Sequence, residues 1–285
     1  MKVLVTGGTG LVGQEVVGAL LERGASVRIL TRNKDARVPA GVEVAIGDLT
    51  NPESVKAALS GVDKLFLLVG NVADELTQAL LTNAVAREAK IKHVTYLSVF
   101  GAERFPGVPH FIGKQTVENA IKSFDTPFSI LRPGYFFQND ARFKDLLTGP
   151  GVFPLPIGTV GVGAVDVRDI ADAAAITLTT DGHAGKTYNL VSHSILTGLG
   201  AAEVWSKALG KPVIYPGMPL EDFERQLRQM VPAWLAMDMR LMFQIYQEQG
   251  NVPAAGDADA LSKLLGHAPR RYEDFVRQTV AAWRA

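Results

Sequence analysis

The chain has no cysteine, no net charge and no long uninterrupted apolar run among its 285 residues. Without cysteine, disulfides and thiolate chemistry are excluded, and a cytoplasmic location is the simplest expectation. Lys plus Arg and Asp plus Glu both total 29, which argues against a nucleic-acid or membrane partner, because either would need a basic excess. No stretch reaches the roughly 18 apolar residues of a membrane span. Glycines also interrupt the apolar N-terminus, which makes it a poor signal-peptide core.

Short runs rich in Val, Ile and Leu alternate with helical patterns over the first half of the chain. The runs KVLVT, SVRIL, VEVAI, KLFLLV, HVTYLS and FSILR are apolar throughout, as expected of strands buried on both faces. Helices are predicted between them, near 11–23, 52–60, 74–90 and 111–124. The alternation predicts an α/β fold of the Rossmann type, a doubly wound parallel sheet with right-handed crossovers and helices on both faces.

The regular alternation fails after residue 134, where a segment rich in Gly and Pro follows. A helical pattern then returns in VRDIADAAAITLTT and a strand pattern in KTYNLV, and the chain from about 197 onward is mostly helical. We therefore expect 1–134 plus 164–192 to form a sheet domain. The remainder, 135–163 plus 193–285, is expected to form a smaller, mostly helical substrate-binding part.

The segment VLVTGGTGLVG places glycines between the first strand and the first helix. Gly7 permits a tight turn, Gly10 lets the backbone approach a pyrophosphate, and Gly13 lets the helix pack closely on the sheet. The helix N-terminus offers N–H groups and the positive end of its dipole to a phosphate. A Gly-x-Gly-x-x-Gly pattern indicates dinucleotide binding when it follows a strand and opens a helix, and here it does both.

The end of the second strand favours NADP over NAD. An NAD-binding protein would carry a carboxylate there, to bind the ribose 2′-hydroxyl. This sequence has Thr31 in the expected acidic position, followed by Arg32. Arg32, with Lys34 or Arg37, can pair with a 2′-phosphate; the alternative is that Arg32 is a solvated arginine in a loop.

The segment GDL follows the third strand and is placed to contact an adenine. Asp48 can accept a hydrogen bond from the adenine amino group while Leu49 packs against the ring. A helix-capping role is the alternative for Asp48, although Asn51, followed by proline, offers a better helix start.

Several segments together resemble the NmrA-like group of atypical short-chain dehydrogenases/reductases. They are TGGTGLVG, GDL, LSVFGA, HFIGKQTVENAI, FSILRPGYFFQN and LLGHAPRRYEDFVRQTVAAW. The group includes NADPH-dependent quinone reductases, aromatic ether and isoflavone-type reductases, and regulators that bind NADP without turnover. The resemblance implies that the pyrophosphate is lined by Gly7, Thr9, Gly10, Leu11 and Val12. It places Arg32 at the 2′-phosphate, Asp48 at the adenine, and Val69 and Gly70 along the adenine ribose. It places Lys114 at the nicotinamide ribose and Tyr135 and Phe136 beside the nicotinamide.

The pentapeptide HFIGK departs from typical short-chain dehydrogenases at one position. Those enzymes carry a tyrosine as general acid four residues before the lysine, where this chain has His110. A nearby ammonium disfavours an imidazolium, so His110 is expected to be mostly neutral and a poor acid. Ser98 ends the fifth strand and can face the same cleft as His110 and Lys114. A capping or exposed histidine is the alternative for His110, and an ordinary exposed lysine is the alternative for Lys114.

Quinone reduction is compatible with a histidine at this position. Hydride addition to a quinone gives a hydroquinone anion that is far less basic than an alkoxide, so a cation or donor can stabilise it without a matched acid. The leading hypothesis is NADPH-dependent reduction of a quinone or similar apolar electrophile, with Lys114, His110 and Ser98 as the catalytic residues. Two alternatives stay open: a non-catalytic NADP-binding regulator with a protein partner, and a reductase or epimerase of another small molecule that uses His110 as its acid.

Methionines and aromatics cluster in the C-terminal part. Five of the six methionines fall within 218–242, and Trp234, Phe243 and Tyr246 lie in or near the same segment. Such side chains can line an adaptable pocket for a planar apolar substrate. A helical core or a subunit interface, as in a homodimer, explains them equally well. No metal is expected, because the remaining histidines lack ligand spacing.

Overall fold

The computed structural model describes all residues, 1–285, and the chain forms two compact units. The first unit comprises Met1–Arg104, His110–Arg132 and Val167–Asn189, and the second comprises Phe105–Pro109, Pro133–Asp166 and Leu190–Ala285. The sequence predicts boundaries at 134, 164 and 192 and places residues 105–109 in the sheet domain, whereas in the structure these five residues belong to the second unit. None of the helices is both long and apolar enough to cross a membrane.

A seven-stranded sheet forms the centre of the first unit. Numbered in chain order, its strands are β1 (Lys2–Thr6), β2 (Ser26–Thr31), β3 (Glu43–Ile46), β4 (Lys64–Leu67), β5 (His93–Leu97), β6 (Phe128–Pro133) and β9 (Lys186–Leu190). The pairings among β1 to β6 are parallel. The order is β3-β2-β1-β4-β5-β6-β9, so the winding direction reverses between β1 and β4. The predicted doubly wound parallel sheet is confirmed.

Helices connect these strands as the periodicity predicts. They are α1 (Leu11–Glu22), α2 (Pro52–Leu59), α3 (Glu75–Glu88), α4 (Pro109–Lys122) and α6 (Val167–Thr179). Helix α1 packs against α6, and α2 packs against α3. All residues of β5 are buried, which is why its sequence shows no alternation between apolar and polar residues.

Asn51, rather than Asp48, caps helix α2. Its side chain accepts from the backbone N–H groups of Glu53 and Ser54, and Pro52 occupies the first turn, where a missing N–H costs nothing. The Oδ1 atom of Asp48 instead accepts from the backbone and the hydroxyl of Thr50, both at 2.8 Å. The capping alternative for Asp48 is therefore wrong, and its side chain is held at the carboxyl end of β3.

The second unit combines a small sheet with most of the C-terminal helices. Its strands β7 (Tyr135–Phe136), β8 (Val162–Val165) and β10 (Ile195–Leu196) pair in the order β10-β8-β7. A 3₁₀ helix spans Phe137–Phe143, and the α-helices are α5 (Lys144–Thr148), α7 (Gly198–Leu209), α8 (Leu220–Leu227), α9 (Ala233–Glu248), α10 (Asp257–Leu265) and α11 (Tyr272–Arg284). The prediction of a mostly helical C-terminal part is confirmed.

Candidate nucleotide-binding site

The loop between β1 and α1 has the backbone that a phosphate-binding turn requires. Gly7 has φ +65°, and a Cβ there would lie 2.2 Å from Cδ2 of Leu68. A Cβ on Gly13 would lie 2.1 Å from the carbonyl oxygen of Gly7, so glycine is needed for α1 to begin this close to the loop. A Cβ on Gly10 would meet only that same oxygen, at an ordinary 3.4 Å. Packing within the chain does not require glycine at position 10, whereas a phosphate approaching the backbone would.

The N-terminus of α1 is open to an anion. Gly10 provides no side-chain cap, and the first turn contains no acidic residue. Thr9 and Leu11 are exposed, while Val12 is buried against the sheet. The amide Nε2 of Gln14 donates to the carbonyl oxygen of Thr9 at 2.9 Å and braces the loop. Uncapped N–H groups and the positive end of the helix dipole suit a pyrophosphate, so the residues present fit the nucleotide that the sequence predicts.

A buried threonine ties β1 to β4 at the point where the winding direction reverses. The hydroxyl of Thr6 donates to the carbonyl oxygen of Leu68 at 2.7 Å and accepts from its backbone N–H at 2.8 Å. Val69 is buried and Gly70 is exposed just beyond this point, and no atom lies within 4 Å of a Cβ built on Gly70. Ligands of doubly wound sheets bind outside the carboxyl ends of the strands at such a point.

Arg32 and Asp48 approach one another at the carboxyl ends of β2 and β3. Their Nη1 and Oδ2 atoms are 3.9 Å apart, and the side chains are 76% and 39% exposed. The hydrogen bonds from Thr50 lower the pKa of Asp48, so the carboxylate stays ionised near neutral pH. An exposed pair of this kind is weak, and Arg32 can therefore turn toward a phosphate. Leu49 is half-buried against the hydrophobic core.

A groove of about 280 Å³ lies beside the glycine loop. It is lined by Gly8, Gln14, Val17, Ile29, Arg37, Val38 and Pro39. Arg37 adds a second cation on this side of the loop, and Lys34 is exposed on the same connection. The sequence offers Lys34 or Arg37 as a second cation beside Arg32 for a 2′-phosphate. Of these two, Arg37 lines the groove beside the glycine loop.

Helix α4 places Lys114 in the interior of the first unit. Its Nζ lies 2.6 Å from Oε1 of Glu75, and the two side chains are only 10% and 14% exposed. The Nζ atom also lies 6.0 Å from the centre of the Tyr96 ring. The alternative of an ordinary exposed lysine is therefore wrong. Glu75 was not among the residues predicted, because a glutamate that opens a helix is normally an exposed first-turn residue.

Ser98 belongs to a buried ionic cluster centred on Glu118, which lies one turn after Lys114 in α4. Its hydroxyl donates to Oε1 of Glu118 at 2.6 Å, and Glu118, which is fully buried, also accepts from Arg132 and Lys122. Burial raises the pKa of Glu118, but hydrogen bonds from Arg132 and then Ser98 outweigh it, and the net shift is downward. The hydroxyl proton of Ser98 is thus already directed at a carboxylate, and the catalytic role of Ser98 stays a prediction.

His110 lies in the first turn of α4, directly after Pro109. Its ring is half-buried and meets Phe111 edge-on at a centroid distance of 4.7 Å. One helical turn separates it from Lys114, as the spacing predicts. Its role as a catalytic group stays a prediction.

Tyr135 and Phe136 form strand β7 in the second unit. The hydroxyl of Tyr135 donates to Oδ1 of Asp140 at 2.5 Å, and Tyr272 donates to the other oxygen of the same carboxylate. Burial raises the pKa of Asp140 to about 6, although the bonds from the two tyrosines oppose the shift. The hydroxyl of Tyr135 is thus engaged by Asp140. Phe136 is half-buried. Their nicotinamide contact stays a prediction.

The methionine and aromatic segment divides into core and surface. Phe243 and Tyr246 are buried, and their rings meet edge-on at 5.9 Å. Met230, Trp234 and Met237 are 74%, 42% and 47% exposed. The core alternative therefore holds for Phe243 and Tyr246. Trp234 and Met237, in the first turns of α9, and Met230, just before the helix, are here called the exposed strip. The other methionines of the segment are half-buried.

Comparison with known proteins gives consistent results. The model of the NmrA-like family matches residues 1–276. The NAD(P)H azoreductase of Xenophilus azovorans is 32% identical over 289 residues and covers 99% of each chain, and quinone oxidoreductase 2 of Escherichia coli is 27% identical over 93% of this chain and 94% of its own. The structure of Citrobacter sp. triphenylmethane reductase complexed with NADP(H) matches with a TM-score of 0.85, 28% identity, and coverage of 97% of this chain and 99% of that chain. The family match spans nearly the whole sequence, and the chain therefore belongs to the NmrA-like family.

Proposed function

We propose that this protein is an NADPH-dependent oxidoreductase that reduces a quinone or a similar apolar electrophile. The oxidoreductase class and the nicotinamide cofactor follow from relatives that include an azoreductase, a quinone oxidoreductase and a triphenylmethane reductase. The quinone is the finer part of the proposal. It rests on one observation above all, the buried ammonium of Lys114 in a helix that carries His110 where a tyrosine acid would stand.

The residues that would hold the cofactor follow the carboxyl ends of the strands. Gly7, Thr9, Gly10, Leu11 and Val12 would cradle the pyrophosphate at the N-terminus of α1. Arg32, with Arg37, would pair with the 2′-phosphate; Asp48 and Leu49 would contact the adenine; and Val69 and Gly70 would lie along its ribose. Lys114 would bind the nicotinamide ribose. When bound, NADPH supplies a hydride, which carries one proton and two electrons.

Lys114 then performs the electrostatic part of the reaction. Hydride addition leaves a negative charge on the quinone oxygen, and an ammonium held in a low-dielectric site stabilises that charge far better than one in water. An ammonium has three donors, of which Glu75 accepts one. The hydroquinone anion takes a proton from water, so neither His110 nor Ser98 has to be a matched acid. His110 would orient the substrate through its N–H.

A substrate panel tests the proposal directly. Loss of NADPH absorbance would be followed with quinones, enones, aldehydes, azo compounds and triphenylmethane dyes. Quinones are expected to give the highest kcat/KM. Faster turnover of an azo compound or a dye would replace the quinone while keeping the reductase. Tight NADPH binding without oxidation by any electrophile would instead favour a non-catalytic NADP-binding regulator.

Arg32 is expected to determine the preference for NADPH. A charge-assisted bond to the 2′-phosphate is worth about 1.5–3 kcal/mol, roughly a ten- to hundredfold preference over NADH. Arg32→Ala should lose most of that preference and leave NADH affinity nearly unchanged. The measurement is the pair of dissociation constants, from the fluorescence of each reduced cofactor. Arg23→Ala, which removes an exposed arginine from the opposite end of α1, is the matched control. Equal constants for the two cofactors in the native protein would refute the assignment.

The exposed strip of Met230, Trp234 and Met237 is expected to contact the planar substrate. Trp234→Ala and Met237→Ala should each raise KM for the quinone, by roughly ten- to fiftyfold given about 1.5–2.3 kcal/mol of lost apolar contact. NADPH affinity should not change. Leu199→Ala, which removes another exposed apolar side chain of the same unit, should leave KM unaltered. Altered thermal stability or a split oligomer, with KM unchanged, would show that the strip is a packing surface or a subunit interface.

A further inference from the structure

Glu75 and Lys114 form an ion pair that is almost closed to solvent. They are 39 residues apart in sequence, the first at the start of α3 and the second in the middle of α4, and Oε1 and Nζ are 2.6 Å apart. Transferring either charge from water to this position alone would cost several kcal/mol. Each charge therefore depends on the other, and the long lysine side chain is held in one place.

Four titratable groups flank this pair on α3, α4 and β5, and none of them takes the place of Glu75. Glu118, one turn further along α4, is already engaged by Arg132, Lys122 and Ser98. On β5, burial first and then the charges of Glu75 and Glu118 raise the pKa of Tyr96 well above its usual value, so the phenol stays neutral. His110, one turn before Lys114, can only be neutral or positive. Asp74, next to Glu75, accepts from Gln78.

We propose that Glu75 is the positioning residue for Lys114. It keeps the ammonium charged in a buried position and fixes Nζ, so that the remaining N–H groups are directed at the ribose hydroxyls of the cofactor and at the substrate oxygen. The role assigned to Glu75 is exerted through its contact with Lys114. The inference rests on the proposed role of Lys114 in NADPH-dependent reduction.

Glu75→Gln separates this role from a merely structural one. Glutamine keeps the size and a hydrogen bond but removes the charge, and a buried ammonium without a counter-ion loses its proton at a lower pH. The dissociation constant of NADPH, followed by its fluorescence from pH 7 to 9, should therefore rise roughly tenfold across this range in the variant. It should stay nearly flat in the native protein. Glu75→Asp, which restores the charge at a shorter reach, should recover most of the flat profile.

Two further variants serve as controls. Glu53→Gln removes a first-turn glutamate from another helix, α2, where it is exposed; this variant should bind NADPH as the native protein does at every pH. Glu75→Gln combined with Lys114→Met should bind weakly but with no pH dependence, because the titrating group is gone.

Turnover gives a second, separable readout. With 1,4-benzoquinone as the probe, Glu75→Gln should lower kcat/KM by roughly ten- to hundredfold at pH 8, mainly through kcat. A native protein that does not oxidise NADPH would overturn the proposed function, while the binding profile would still decide the role of Glu75. A flat NADPH-binding profile in folded Glu75→Gln, indistinguishable from that of Glu53→Gln, would overturn the inference.

Discussion

Lys114→Ala is expected to lower kcat/KM for quinone reduction by about 10²-fold or more, or about 2.7 kcal/mol of transition-state stabilisation. Under the proposed function, the substitution would remove both a contact to the nicotinamide ribose and the cation that stabilises the developing oxyanion. Burial makes the effect large, because water cannot screen a charge that is only 10% exposed. Steady-state kinetics with NADPH and a quinone would measure it, with circular dichroism to confirm folding.

His110→Ala provides the comparison, because it changes a side chain one turn away on the same helix. Its expected cost is on the order of tenfold, the loss of an orienting contact rather than of proton transfer. The rate of the native protein should be nearly flat between pH 5 and 8. A steep change near pH 6.5, about where an ordinary histidine titrates, that disappears in His110→Ala would show that histidine is the acid. The third hypothesis, another reductase or an epimerase, would then replace quinone reduction.

Glu118→Ala is expected to have the largest effect on stability, a loss of about 3 kcal/mol or more in the free energy of unfolding. The substitution removes the buried carboxylate that accepts two hydrogen bonds from Arg132, at 2.8 and 2.6 Å, and leaves the guanidinium, 12% exposed, with the exposed Glu103 as its remaining counter-ion. Ser98 and Lys122 lose an acceptor as well. Urea unfolding at pH 7 would measure the difference.

Glu103→Ala is the matched control for Glu118→Ala, because Glu103 also pairs with Arg132, at 2.8 Å, but is 48% exposed. An exposed pair contributes only about 0–1 kcal/mol. The two variants therefore separate burial from charge. Equal losses of stability in the two variants would mean that the buried carboxylate of Glu118 contributes no more than the exposed one of Glu103.

The contribution of Glu118 should also depend on pH, in a direction set by its lowered pKa. A carboxyl whose pKa is lower in the folded state stabilises the protein above its unfolded value, and the stabilisation disappears as the pH falls through the folded value. The difference in stability between the native protein and Glu118→Gln should therefore shrink as the pH falls below about 4. A difference that stays constant down to pH 2 would contradict the ion-pair explanation.

Helix α4 shows where sequence reasoning reached its limit. His110, Lys114, Glu118 and Lys122 recur every four residues, so the sequence does predict that they share one face of a helix. Lys114 and Glu118 are buried, whereas Lys122 is partly exposed. The period of four is evident in the sequence, but the burial of these side chains depends on which elements pack over that face of the helix. Glu118 was missed for this reason: its place on the same face as His110 and Lys114 was visible in the sequence, whereas its burial was not.

The sequence by itself determined the features that depend on neighbouring residues. The alternation of strands and helices, the cap at Asn51, the turn at Gly7 and the close start of α1 at Gly13 all follow from local sterics and hydrogen bonding. The parallel, doubly wound sheet follows as well, because buried strands joined by helices have few other arrangements. The glycine loop and Arg32 indicated NADP for the same reason, since both lie beside a strand end that the sequence marks clearly.

Only the tertiary structure decided which charged groups meet. Glu75 pairs with Lys114 across 39 residues, and Ser98 donates to Glu118 across 20. The hydrogen bond from Tyr135 to Asp140 also depends on the tertiary structure, as does the division of the methionine segment into buried and exposed side chains. The physical reason is that a charge is placed by the energy of its burial, which depends on how the whole chain packs around it. Neither residue type nor spacing along the chain carries that information.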